Sequence, residues 1–107
     1  MATANCIRYQ GAKVVFADVD PDTLNIDPEK IKECLGPKTK AIIAVDFTGQ
    51  PADLGAISEI TQDNDLVFIE DAAHALGATY KKRSVGSIAD MTTFSLHPVK
   101  HLSLIHI

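Results

Sequence analysis

Cysteine is scarce. Cys6 and Cys34 are the two thiols, and they stand in no CxxC or other metal-ligand spacing. That excludes a zinc-binding framework, and no metal site is expected. Two isolated thiols suit a reducing cytoplasm better than a disulfide scaffold. Basic charge is also short. Lys and Arg number 10 against 14 Asp and Glu, a net charge of -4, and no stretch is strongly basic. Nucleic-acid binding is therefore left without an electrostatic footprint. No apolar run is long enough to predict a transmembrane helix. No segment joins a basic start, an apolar stretch and a small-residue cleavage site, so no export signal is read. Gly-x-Gly-x-x-Gly and P-loop patterns are absent as well, which removes nucleotide binding through those motifs.

What remains is ordinary globular material. The chain has 107 residues, 46% hydrophobic and 22% charged, which predicts one domain or a piece of one and argues against disorder. Both ends break the pattern. The start, Met1-Ala2-Thr3-Ala4-Asn5, has no helix start or strand boundary before it. The last residues, Leu102-Ser103-Leu104-Ile105-His106-Ile107, form an apolar run with no turn or cap. The expectation is a chain truncated at both ends, with a tail over 102–107 that is foreign to what precedes it.

Between the ends, strands and helices alternate. Lys13–Val19 is β-branched and apolar and reads as a strand, followed by turn residues Asp20-Pro21-Asp22. Asp27 caps a helix with Pro28 at its first position. Ile31, Cys34 and Leu35 give that helix one apolar face, and Gly36-Pro37 stops it. Lys40–Asp46 is a nearly continuous apolar run, of the kind that suits a parallel strand covered on both faces. Thr48–Pro51 makes a loop. Asp53 caps a second helix carrying Leu54, Ile57 and Ile60, and Asn64-Asp65 ends it. Leu66–Ile69 is a third buried strand, and Ala89–Ser95 a later one. This alternation predicts an α/β layer with a largely parallel sheet.

Ligands of open α/β sheets sit beyond the carboxyl ends of the strands. Three such ends carry polar chemistry: Asp46, Glu70-Asp71, and Ser95 leading towards Lys100. From local sequence, Asp71 has two readings. It caps the turn that follows, or it is a carboxylate that something flat approaches over the small residues Ala72 and Ala73. Lys100 is a solvated surface lysine, or a nucleophile whose pKa is lowered by apolar company. His74 and His97 read equally well as hydrogen-bonded loop histidines.

The combination resembles a known family. A strand-end Asp71 followed by Lys100, with a strand between, resembles the large domain of fold-type I pyridoxal-phosphate enzymes. Over Ala2 to His101 the wording resembles the DegT/DnrJ/StrS nucleotide-sugar aminotransferases. The matching strings are Thr3-Ala4-Asn5, Phe16–Ile26, Thr39–Ile43, Gly49–Asp53, Glu70–Ala78 and Phe94–Lys100. The resemblance implies residues 1–101 as part of a pyridoxal-phosphate-binding large domain, a mostly parallel sheet with helices on both faces.

The implied cofactor is pyridoxal 5'-phosphate. The implied reaction is transamination of a 4-keto-6-deoxy nucleotide sugar, with an amino acid, glutamate, as donor, in surface polysaccharide or pseudaminic acid biosynthesis. Lys100 would be the Schiff-base lysine and the proton carrier. Asp71 would hold the pyridine nitrogen protonated, which favours the ring as electron sink. His74 stands where many relatives carry Gln near the cofactor's phenolic oxygen. Ser95, five residues before Lys100, stands where the family places a hydroxyl on the cofactor phosphate.

The resemblance further implies a homodimer and a cytoplasmic enzyme with no nucleic-acid and no membrane partner. The family's stacking aromatic and upstream phosphate segment would precede Met1, and its small C-terminal domain would follow Ile107. The isolated piece is therefore expected to be inactive. Related sugar dehydratases replace the lysine by His, which Lys100 opposes. A non-catalytic interaction or regulatory domain retaining the fold is opposed by the presence of both Asp71 and Lys100.

Overall fold

A computed structural model describes residues 2–96. Lys100, His97 and the 102–107 tail lie outside the described residues. Helix α1 spans Ala2–Tyr9 and α2 Pro28–Cys34. Strand β1 (Ala41–Val45) leads through a short 3-10 turn, Phe47–Gly49, into α3 (Leu54–Asp63) and then β2 (Val67–Asp71). A small hairpin of β3 (Thr79–Tyr80) and β4 (Arg83–Ser84) precedes β5 (Met91–Thr93).

The predicted parallel sheet is present, in the order β1-β2-β5. Ala41 pairs with Val67 and Val45 with Asp71, and Asp71 pairs in turn with Thr93. All three strands therefore end on one line. Strands β1 and β2 each alternate buried and less buried residues. Ile42, Ala44, Phe68 and Glu70 face inward, where Leu54, Ile57 and Ile60 of α3 and Ile31 of α2 close the core. Strand alternation with a period of two puts Ile69 and Asp71 on the opposite face, and there Thr3 of α1 reaches Asp71.

Both predicted caps form. The Asp27 carboxylate accepts from the Glu29 N–H at 2.9 Å, and Asp53 accepts from the Ala56 N–H at 3.4 Å. Asn64 closes α3, and Asp65 takes a φ of 54° to turn the chain into β2.

One expectation needs correction, and two elements go beyond what the sequence predicts. Residues 13–19 form no strand; the isolated bridge Val19–Ile26 is what forms there. Val15 and Phe16 are 61% and 77% exposed, and no described segment lies alongside to complete a ladder. Residues 2–9, to which the sequence reading assigns no element, form α1. The hairpin at 79–84 was not expected. Its turn residues Lys81 and Lys82 both have positive φ, 46° and 67°, a conformation that hairpin turns normally give to Asn or Gly.

Candidate functional site

The carboxyl ends of β1, β2 and β5 converge, as the apolar runs ending in polar residues predict. Asp46 follows β1, Asp71 closes β2, and Ser95 stands two residues beyond Thr93, the register partner of Asp71. Asp71 and Ser95 are thus brought to neighbouring strand ends, both half-buried.

Asp71 is held at both oxygens. The Thr3 hydroxyl donates to Oδ2 at 2.7 Å, and the Ala73 N–H donates to Oδ1 at 3.2 Å. The second bond is the turn-capping role that local sequence predicts. The first fixes the carboxylate from another element. A carboxylate has about four lone-pair sites, so a further donor can still approach. Ala72 and Ala73 beside it keep the flank small.

His74 lies on the turn after β2 and is exposed. It lines an open cavity of about 500 Å³ with Thr48, Gly49 and Ala75–Ala78. Gly49 sits at a φ of 86°, and a Cβ there would lie 2.8 Å from the His74 carbonyl oxygen. Only glycine lets the two loops approach this closely. The Gly49 loop is itself stapled by Asn25, which is 3% exposed. Its Oδ1 accepts from the Phe47 N–H at 2.8 Å, and its Nδ2 donates to the Gln50 carbonyl at 2.9 Å.

Behind Asp71, on the core face, sit two fully buried acids, Asp46 and Glu70. Asp46 Oδ1 accepts from the Ala52 N–H at 2.9 Å. Glu70 Oε2 accepts from the Thr92 hydroxyl at 3.1 Å and the Gly86 N–H at 3.3 Å. Burial, and next the Glu70 carboxyl alongside, push the Asp46 carboxyl up to about 7.

Sequence reasoning named Asp71, His74 and Ser95, and marked Asp46 and Glu70 as polar strand ends, but missed Thr3, Asn25 and the pairing of the two buried acids. Thr3 carries no local signal, because its partner is 68 residues away. For Asp46 and Glu70 there was a signal: each acid ends an apolar strand at an inward position.

The donor set fits pyridoxal phosphate. It offers a fixed anion at a strand end, small residues beside it and a hydroxyl at the next strand end. Among the described residues no group of acids, histidines and cysteines is arranged to hold a metal ion. No described helix is long and apolar enough to cross a membrane.

The profile of the DegT/DnrJ/EryC1/StrS aminotransferase family matches residues 1–105. The spore coat polysaccharide biosynthesis protein SpsC of Bacillus subtilis is 49% identical over 102 residues, covering 95% of this chain and 26% of SpsC. Helicobacter pylori PseC, an aminotransferase involved in pseudaminic acid biosynthesis, superposes with a TM-score of 0.92 at 32% identity, over 95% of this chain and 27% of PseC. NtdA of Bacillus subtilis, solved with the cofactor PMP bound, superposes with a TM-score of 0.88 at 36% identity, over 95% of this chain and 22% of NtdA. The chain thus spans about a quarter of the length of the relatives it matches. With the parallel sheet, the strand-end carboxylate and the profile match all in agreement, this chain belongs to the DegT/DnrJ/EryC1/StrS aminotransferase family.

Proposed function

We propose that the protein carrying this chain is a pyridoxal-phosphate-dependent sugar aminotransferase, and that this chain holds the cofactor. The observation that carries the reading is Asp71, an anion fixed at both oxygens on the line where the three parallel strands end. When bound, pyridoxal phosphate supplies an electron sink for charge that develops on the substrate carbon. Asp71 keeps the pyridine nitrogen protonated, since a nearby anion favours the protonated ring. Thr3 and the Ala73 N–H keep the carboxylate from turning away. The Ser95 hydroxyl would bind the cofactor phosphate, and His74 would donate a hydrogen bond to the phenolic oxygen. Lys100 would anchor the cofactor until the amino donor displaces it, and its freed Nζ would then take and return the proton of the substrate carbon.

The finer reading is a 4-keto-6-deoxy nucleotide sugar as acceptor and glutamate as donor. The strings Asp46-Phe47-Thr48-Gly49-Gln50 and His97-Pro98-Val99-Lys100 are most like UDP-4-amino-4,6-dideoxy-N-acetyl-β-L-altrosamine transaminase, an enzyme of pseudaminic acid biosynthesis, and this likeness supports the finer reading. Likeness to PseC at 32% identity supports that substrate class, and likeness to SpsC at 49% supports surface polysaccharide synthesis more broadly. A cytoplasmic homodimer completes the reading. The test is transamination by the whole protein from glutamate to a UDP-linked 4-keto-6-deoxy sugar, followed by chromatography of the sugar nucleotide. Amination of that sugar supports the reading. Failure with every keto-sugar nucleotide, despite bound cofactor, overturns it.

A further inference from the structure

The buried acids Asp46 and Glu70 play no part in the chemistry above, yet no accessible surface remains on either residue. Asp46 Oδ2 and Glu70 Oε1 are buried and receive no N–H or O–H from the rest of the described structure. Their other oxygens are satisfied by Ala52, Gly86 and Thr92. The two side chains lie within hydrogen-bonding range of each other. The register explains why: Ala44 pairs with Glu70, and Asp46 follows two residues after Ala44 on the same inward face. Two ionised carboxylates offer only acceptors, and placing both uncompensated in a dry interior is prohibitive. One proton between Oδ2 and Oε1 satisfies both orphaned atoms.

We propose that Asp46 and Glu70 form a carboxyl–carboxylate pair sharing one proton, and that this positioning pair locks the strand ends from which Asp71 is presented. The lock is visible in what the pair joins. Asp46 holds the start of the α3 segment through Ala52. Glu70 holds β5 through Thr92 and the loop at Gly86. Glu70 also directly precedes Asp71, and the Asp46 N–H donates to the Asp71 carbonyl at 3.0 Å. The positioning role rests on the reading of Asp71 as cofactor partner; the shared proton does not.

A pH dependence follows. The charged groups acting on Asp46 are Glu70 and, more weakly, Asp71. Asp53 at the head of α3, His74 after β2 and Asp90 before β5 are exposed. Burial, and next Glu70, raise the Asp46 carboxyl from 3.8 to about 7 in the fold. Between those values the fold binds more protons than the unfolded chain. Its stability therefore falls as pH rises through that window and levels off above it. In Asp46→Asn, the amide Oδ1 still accepts from Ala52 and the NH₂ donates permanently to Glu70.

The experiment uses the whole protein, first stripped of cofactor. Thermal midpoints are recorded from pH 5 to pH 8 for the parent, Asp46→Asn and Asp46→Ala, with difference infrared spectra. The parent midpoint should fall across the range, the Asn variant should lose that slope, and a protonated-carboxyl C=O band should vanish with Asp46→Asn. A parent slope that survives in Asp46→Asn, or a parent without the band, overturns the shared proton. Cofactor affinity is then measured by titration. Asp46→Ala should weaken it by about tenfold, and Asp46→Asn by no more than about twofold. Equal affinities for Asp46→Ala and parent overturn the positioning role. If Asp71→Asn also leaves cofactor affinity and turnover unchanged, the reading of Asp71 itself fails, while the pH profile still judges the pair.

Discussion

The Thr3 hydroxyl donates to Asp71 Oδ2 at 2.7 Å, tying the first helix to the end of the central strand. This bond leaves the Asp71 carboxylate aimed from a fixed position, because the Ala73 N–H holds the other oxygen. Thr3→Val removes the donor and keeps the shape. Urea unfolding should show a loss of about 1 kcal/mol, and Thr3→Ser should recover most of it. Equal midpoints for Val and parent would mean the bond contributes nothing in solution.

Asp71→Asn tests the charge without disturbing the turn, since the amide oxygen can still accept from Ala73. Circular dichroism should be unchanged, and turnover of the whole protein should fall by more than about tenfold, equivalent to more than about 1.4 kcal/mol of barrier. A smaller drop would leave Asp71 as a cap of its turn and nothing more.

For Lys100, borohydride treatment of the cofactor-loaded protein should fix the cofactor covalently. Peptide mapping should place the adduct on Lys100, and Lys100→Ala should abolish it along with the long-wavelength absorbance. An adduct on another lysine removes Lys100 from the proposed role.

Gly49→Ala places a methyl 2.8 Å from the His74 carbonyl oxygen, at a backbone φ of 86°. The left-handed conformation alone costs a non-glycine residue about 1–2 kcal/mol, and the clash with main chain adds to it. Thermal melting should drop clearly, and the His74 imidazole resonances should shift. Parent-like melting with unmoved resonances would show that the two loops separate at no cost.

The sequence by itself determined the elements whose signals are local. Asp27 and Asp53 cap helices because a short acidic side chain satisfies free N–H groups of its own first turn. The apolar runs at 41–45 and 66–69 seed parallel strands, with one face of each buried in the core and the other only partly covered. Of their polar ends, Asp71 stays half-buried at the end of β2 while Asp46 and Glu70 turn into the core. Tertiary structure decided the rest. Residues 13–19 have strand-forming side chains but find no more than the single bridge of Val19 to Ile26 among the described residues, and a strand cannot satisfy its own backbone. Thr3 became a partner of Asp71 only when helix α1 came to lie at the end of β2, and Asp46 came beside Glu70 only when the register of β1 against β2 was set. Such contacts join residues far apart in the chain, and nothing in the local pattern of either residue names the other.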